Sequence, residues 1–167
     1  MIKFLAMDVD GTLTDGKIYM GKDGEILKAF NVKDGYAIKE LLPKHDIVPI
    51  IITARHSKIL ENRCKELDIT EFYQGERKKF DRLMEVILSY CAEKRYTLEN
   101  AAYIGDDILD IQCLKSIKEA GGMTGCPADA VQEVKDCCDY IAPHKGGEGA
   151  VRDFIDYVIS ANGSNNN

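Results

Sequence analysis

The fold is decided by the stretch Ile2-Lys3-Phe4-Leu5-Ala6-Met7-Asp8-Val9-Asp10-Gly11-Thr12. The apolar run from Ile2 to Ala6 reads as a buried strand, and it leads directly into two carboxylates set one residue apart. Extended chain sends alternate side chains to the same face, so Asp8 and Asp10 can address one bound group. Gly11 lets the backbone turn away sharply, and Thr12 can hydrogen-bond within that turn. The arrangement suits a metal-assisted attack by a carboxylate.

Outward from this point, apolar runs alternate with helical periodicities, the pattern of βα units around a parallel sheet. Strands are expected at Ile2 to Met7, Val48 to Ile52, Glu71 to Tyr73 and Ala101 to Ile104, with weaker ones near Met123 and Ile141. Pro49 is awkward in a central strand, so that strand is expected to start after it. Phe80, Leu83, Met84, Ile87, Leu88 and Cys91 predict a helix over Lys79 to Lys94, and Val151, Phe154, Ile155, Val158 and Ile159 predict another. Ser57 reads as the N-cap of a helix carrying Leu60, Cys64 and Leu67, and the helix with Leu41 is expected to stop at Pro43. The segment 17–30, two apolar stretches around Gly21-Lys22-Asp23-Gly24, reads as a β-hairpin. The expected architecture is an α/β fold, a three-layer Rossmann-like parallel sheet with a projecting hairpin, in one domain over 1–161. Residues 162–167, Asn-Gly-Ser-Asn-Asn-Asn, hold no apolar side chain to dock and are expected to be a disordered tail.

Composition narrows the function classes. With 167 residues one real core is expected, and a net charge of −6 argues against nucleic acid, which wants a basic stripe. No apolar run approaches the ~18 residues of a membrane span, and the start does not read as a signal peptide, so a cytoplasmic protein with no membrane partner is expected. The six cysteines form no C-x-x-C pair and read as reduced core thiols.

Three further groups follow strand-like runs, and the carboxyl ends of a parallel sheet line up along the edge where ligands bind. They are Thr53, Lys79 shortly after Gly75, and Gly105-Asp106-Asp107 with Asp110. Taken alone, Lys79 in the charged run Glu76-Arg77-Lys78-Lys79 reads as a solvated lysine, Thr53 as a strand-end cap and Asp110 as a helix-surface acid. With Asp8-Val9-Asp10-Gly11-Thr12 before them, and in this order, each after a strand, they resemble the four motifs of the haloacid dehalogenase superfamily of phosphotransferases. The resemblance implies Asp8 as nucleophile and Asp10 as general acid and base, which requires Asp10 to hold a proton at the start. It further implies Mg²⁺ on Asp8, the Asp10 carbonyl and Asp106, Thr53 and Lys79 on the phosphoryl oxygens, and Asp107 and Asp110 in support.

Superfamily members acting on small molecules usually carry a cap domain before or after the threonine, and neither interval here has room for one. An open phosphoryl-transfer site needs a cover, and Ile18, Tyr19, Met20, Ile26, Leu27 and Phe30 would leave the hairpin with apolar surface that association buries. These features, with the segments Lys28-Ala29-Phe30-Asn31-Val32-Lys33-Asp34-Gly35-Tyr36, Ile52-Thr53-Ala54-Arg55, Tyr73-Gln74-Gly75 and Gly146-Gly147-Glu148-Gly149, resemble the capless 3-deoxy-D-manno-octulosonate 8-phosphate phosphatases. That subfamily serves lipopolysaccharide biosynthesis as homotetramers whose subunits complete each other's sites. Close relatives acting on nine-carbon ulosonic acid phosphates carry glutamate in place of Arg55 and a lysine near Glu66, so Arg55 and Glu66 favour the eight-carbon sugar. Arg55 and Arg63 are expected to bind the sugar carboxylate or hydroxyls, with the Gly146 to Gly149 loop near a neighbour's ligand. The alternatives are a nine-carbon ulosonic acid 9-phosphate phosphatase, a non-catalytic oligomerising module of a sialic acid activating system, and a phosphatase of proteins or nucleic acid ends.

Overall fold

The structure, a computed structural model, describes residues 1–92 and 94–164. In chain order the strands are β1 (Phe4–Met7), β2 (Tyr19–Gly21), β3 (Gly24–Leu27), β4 (Val48–Thr53), β5 (Glu71–Gln74), β6 (Ala101–Ile104), β7 (Met123–Cys126) and β8 (Tyr140–Ile141). The helices are α1 (Val32–Tyr36), α2 (Leu42–Lys44), α3 (Lys58–Glu66), α4 (Lys79–Ser89), α5 (Ile111–Glu119), α6 (Gln132–Lys135) and α7 (Ala150–Ser164). Six strands form a parallel sheet in the order β5-β4-β1-β6-β7-β8, and β2 and β3 pair antiparallel as a separate hairpin.

Alternation along the central strands builds two cores. Leu5 and Met7 join Ile51 and Ile104 against Ile38, Leu60 and Phe154 on one face. Phe4 and Ala6 join Ile50, Ile52 and Tyr103 against Leu83, Ile87 and Leu114 on the other. The sheet is therefore the middle of three layers, buried on both faces as parallel sheets are. The six cysteines are free thiols, and four of them are buried. No helix is long and apolar enough to cross a membrane among the described residues.

Local chemistry moves several expected boundaries. β4 begins at Val48 and includes Pro49, which pairs with Leu5. The Val48 N–H donates to the Lys3 carbonyl on the β1 side at 2.8 Å, so the missing N–H of Pro49 points the other way, where β5 pairing starts only at Ile50. The helix through Leu41 does not stop at Pro43. A π-helical segment, Ala37–Leu41, precedes α2, and its wider turn carries the proline ring past the carbonyl it would strike in a regular helix. Ser57 caps α3 as expected, its hydroxyl accepting from the Leu60 N–H at 3.4 Å. α4 ends at Ser89, short of Lys94, and Leu88 is exposed. Beyond it Tyr90 and Tyr96 pack edge-on against Phe4, with ring centroids 5.3 and 5.2 Å away.

The expected tail is the largest correction. Asn162, Gly163 and Ser164 continue α7, and the Asn162 side chain is buried. Its carboxamide oxygen accepts from the Ile2 N–H at 2.8 Å, and its NH₂ donates to the Ile2 carbonyl at 3.1 Å. A primary amide can satisfy both backbone groups of an unpaired residue at once, so this segment docks by hydrogen bonds, with no apolar anchor. Residues 165–167 lie outside the described residues.

Candidate active site

The strand order reverses at β1, since β4 and β5 extend the sheet on one side before β6 returns to the other. Ligands in open α/β sheets bind outside the carboxyl ends at such a switch point. Asp8 follows β1 there, its N–H donating to the Ile104 carbonyl of β6 at 3.0 Å. Thr53 is the last residue of β4, Lys79 the first of α4, and Asp106 and Asp107 follow β6. A cleft of about 250 Å³ is walled by Asp8, Asp10, Thr53, Arg55, Lys79 and Asp107. Topology thus gathers residues from separate sequence segments around one space.

Asp110 organises its floor. It is fully buried, and both of its oxygens are used. Oδ1 accepts from the Lys79 ammonium and the Tyr103 hydroxyl, each at 2.7 Å. Oδ2 accepts from the N–H groups of Asp106 and Asp107 at 3.0 and 3.2 Å. The reading of Asp110 as an ordinary surface acid is therefore replaced by a buried anchor that sets Lys79 and the Asp106 backbone together. Lys79, also buried, reaches Asp8 Oδ1 at 2.8 Å, so one ammonium is shared by two carboxylates.

Asp8 and Asp106 have the chemistry of cation ligands. Burial, reinforced by Asp110, pushes the Asp8 carboxyl up to about 7 against the pull of Lys79. Burial and then the Asp8 charge push Asp106 up to about 8, although the Thr12 hydroxyl donates to it at 2.8 Å. Oxygen atoms of Asp8, Asp106 and Asp110 lie within 4.8 Å of one another. Because Asp110 already accepts four hydrogen bonds, the pair with oxygens to spare is Asp8 and Asp106. Two desolvated carboxylates, of which only Asp8 pairs directly with an ammonium, fit a hard, oxygen-seeking divalent ion. Gly11 has φ +95°, and a Cβ there would overlap the Asp106 carboxylate, so only glycine lets these two loops meet.

Asp10 lies at the cleft with both oxygens facing cations that come from different elements. The Lys28 ammonium contacts Oδ1, and the Arg55 Nε lies 3.6 Å from Oδ2. Lys28 sits just past β3 with its side chain 2 % exposed, and it also pairs with Glu25 at 2.9 Å. Sequence reasoning missed Lys28 and Glu25, since a lysine and a glutamate on a projecting hairpin carry no pattern that marks them as buried. Arg77, another cleft residue, was hidden in the same charged run as Lys79.

The remaining expected residues divide. Arg55 lines the cleft, while Arg63 does not: it pairs with Glu66 at 2.9 Å, stacks over Phe30 and lies against Gly35. Phe30 accordingly packs on the core and drops out of the apolar surface expected of the hairpin. Asp107 caps the turn Ile108–Asp110 through the Ile108 N–H at 2.8 Å and still borders the cleft. The Gly146 to Gly149 loop packs on its own chain, the Gly147 N–H donating to the Thr12 carbonyl at 3.1 Å. A Cβ on Gly146 would overlap the Gly11 carbonyl, so this loop buttresses the Asp8 to Thr12 turn from behind.

No family model matches the chain. It is 41% identical over 162 residues to the 3-deoxy-D-manno-octulosonate 8-phosphate phosphatase KdsC of Escherichia coli (strain K12), covering 97% of this chain and 81% of that one. The chain belongs to the 3-deoxy-D-manno-octulosonate 8-phosphate phosphatase family. Solved structures of 3-deoxy-D-manno-octulosonate 8-phosphate phosphatases share the fold. The Haemophilus influenzae protein in its cobalt-bound form superposes with TM-score 0.86 at 36% identity, covering 97% of this chain and 90% of that one. The Moraxella catarrhalis protein, in complex with magnesium ion, phosphate ion and KDO, superposes with TM-score 0.87 at 34% identity, covering 96% and 87%.

Proposed function

We propose that the chain hydrolyses 3-deoxy-D-manno-octulosonate 8-phosphate to the free sugar acid and phosphate, with Mg²⁺ as cofactor and an aspartyl phosphate on Asp8 as intermediate. The observation that carries this reading is the Asp8 carboxylate held 2.8 Å from the Lys79 ammonium in a cleft that Asp10 borders. An Asp8 oxygen bonds to phosphorus as the bond from phosphorus to the sugar oxygen breaks, and Asp10 delivers a proton to that oxygen. Water then bonds to phosphorus, the bond to Asp8 breaks, and Asp10 takes the water's proton.

The Thr53 hydroxyl and the Lys79 ammonium hold the phosphoryl oxygens, whose charge grows in the transition state. Asp110 keeps Lys79 in place, and Asp107 shapes the cleft wall. Asp8, the Asp10 carbonyl and Asp106 would hold the cation, which when bound offsets phosphoryl charge as a Lewis acid. Arg55 faces the sugar acid from its own chain, and Arg63 would reach a substrate only across a subunit boundary. The reading extends to one domain, to a homotetramer in which the exposed Met20, Ile26 and Leu27 of the hairpin are covered by other copies, and to a cytoplasmic setting compatible with free thiols.

Side-by-side kinetics on eight-carbon and nine-carbon ulosonic acid phosphates test it, with Mg²⁺ and with EDTA. The eight-carbon ester is expected to be preferred by about tenfold or more in kcat/KM, with no turnover in EDTA. Asp8→Asn is expected to abolish turnover while leaving the circular dichroism spectrum unchanged. Wild-type rates in that variant refute the mechanism.

A further inference from the structure

The hairpin places a carboxylate of the protein itself among cations at the edge of the cleft. Glu25 Oε1 lies 2.9 Å from the Lys28 ammonium and 3.4 Å from Arg55 Nη2. Its Oε2 accepts from the Ser57 hydroxyl at 2.5 Å. The direction of that last bond is fixed, because an ionised carboxylate has no proton to donate, and the Ser57 oxygen accepts in turn from the Leu60 N–H of α3. Lys28 and Arg55 are the same two cations that face Asp10.

Two charged donors and a hydroxyl around one carboxylate, next to a catalytic aspartate, make a carboxylate-binding site whose current occupant is a residue of the hairpin. A guanidinium and an ammonium beside a phosphoryl-transfer cleft have no need of a glutamate to bind phosphate, and Glu25 cancels charge that an anionic substrate would otherwise meet. Glu25 belongs to the two-stranded hairpin, and the donors Arg55 and Ser57 belong to the main domain. We propose that Lys28, Arg55 and Ser57 form the subsite for the carboxylate of a sugar acid phosphate, and that Glu25 is its built-in placeholder, displaced when substrate enters. This rests on the substrate class proposed above. It makes Glu25 an intramolecular competitor that weakens binding of a substrate bringing its own carboxylate more than of one without.

The test compares wild type, Glu25→Gln and Lys28→Met on two esters, 3-deoxy-D-manno-octulosonate 8-phosphate and glucose 6-phosphate, which lacks the carboxylate. Removing the competing charge is expected to lower the ratio of KM for the sugar acid to KM for the hexose phosphate about tenfold in Glu25→Gln, and losing Lys28 to raise it by a similar factor. Free sugar acid, titrated calorimetrically in the absence of phosphate, is expected to bind Glu25→Gln more tightly than wild type. An unchanged or raised KM ratio in Glu25→Gln, with the wild type turning over the sugar acid ester, overturns the subsite alone. A wild type that hydrolyses glucose 6-phosphate and not the sugar acid ester overturns the substrate class and the subsite with it.

Discussion

Replacing Asp110 by Asn separates a buried anchor from a surface acid, and the structure sets the size of the effect. The carboxylate serves two pairs of donors, Lys79 with Tyr103 on one oxygen and two backbone N–H groups on the other. An amide has one oxygen. Turned toward the backbone pair, it sets its NH₂ against the Lys79 ammonium; turned the other way, it faces two N–H donors. Either way the buried ammonium keeps Asp8 and loses its other carboxylate, a change that costs up to about 3–5 kcal/mol. That is a large share of the ~5–15 kcal/mol of a typical domain. With a urea slope of about 2 kcal/mol per molar, the unfolding midpoint is expected to fall by roughly 2 M. Combined with Lys79→Met the loss is expected to be smaller than the sum of the two single losses, because the NH₂ of the introduced amide can then donate to the Tyr103 hydroxyl while its oxygen keeps the backbone pair, although the buried Asp8 loses its ammonium. Urea melts of wild type, both single variants and the double variant close the cycle. A loss below about 1 kcal/mol in Asp110→Asn, or single-variant losses that simply add in the double variant, would falsify the anchor.

Gly146→Ala, remote from the reacting atoms, is expected to lower kcat at least tenfold by pushing on the Gly11 carbonyl and hence on the Asp8 to Thr12 turn, with a smaller effect on KM; wild-type kcat refutes the buttress. Burial, opposed by the Arg152 N–H and aided by Asp153, pushes the Asp34 carboxyl up to about 6 from 3.8. Between those values the folded chain binds more protons than the unfolded one, so this group makes stability fall as pH rises from about 4 to 6, by up to roughly 3 kcal/mol, and the slope is expected to flatten in Asp34→Asn. Thermal melts across that pH range check it, and a slope that survives the substitution assigns it elsewhere. Met20→Lys with Ile26→Lys is expected to lower the sedimentation coefficient toward that of a monomer, since both residues are 63% exposed on the hairpin. An unchanged coefficient places the subunit contacts on another surface.

Most of the site was legible because each motif residue ends a strand or opens a helix, where period and polarity both change abruptly. Asp8, Thr53 and Asp106 sit where a continuously buried apolar run gives way to a polar residue at one sheet edge, and parallel topology alone brings such ends together. Lys79 needed its spacing from Gly75, since charge runs look alike whether solvated or buried. Asp110 was undervalued because its importance lies in four partners from separate segments, a property no single stretch displays. The terminal polar residues failed for a related reason. Asn162 docks by matching both backbone groups of Ile2, and amide recognition of that kind leaves no hydrophobic trace.

The hairpin shows how one short element can answer two demands at once. Along β3, Glu25 turns toward Ser57 and Arg55 while its neighbour Ile26, the residue at which the pairing with β2 shifts register, is exposed. A register slip of one residue would exchange them, putting isoleucine among cations and glutamate on the apolar face. The pairing of Gly21 with Gly24 at the turn fixes that register from one end, and the Lys28 contacts to Asp10 and Glu25 fix it from the other. Ile26 and Leu27 are exposed and Glu25 faces the cleft's cations, so the association of subunits proposed above and the recognition of a charged substrate would act on the same few residues. Any contact that displaces the ribbon would therefore change the environment of Asp10, because Lys28, directly after β3, contacts its carboxylate.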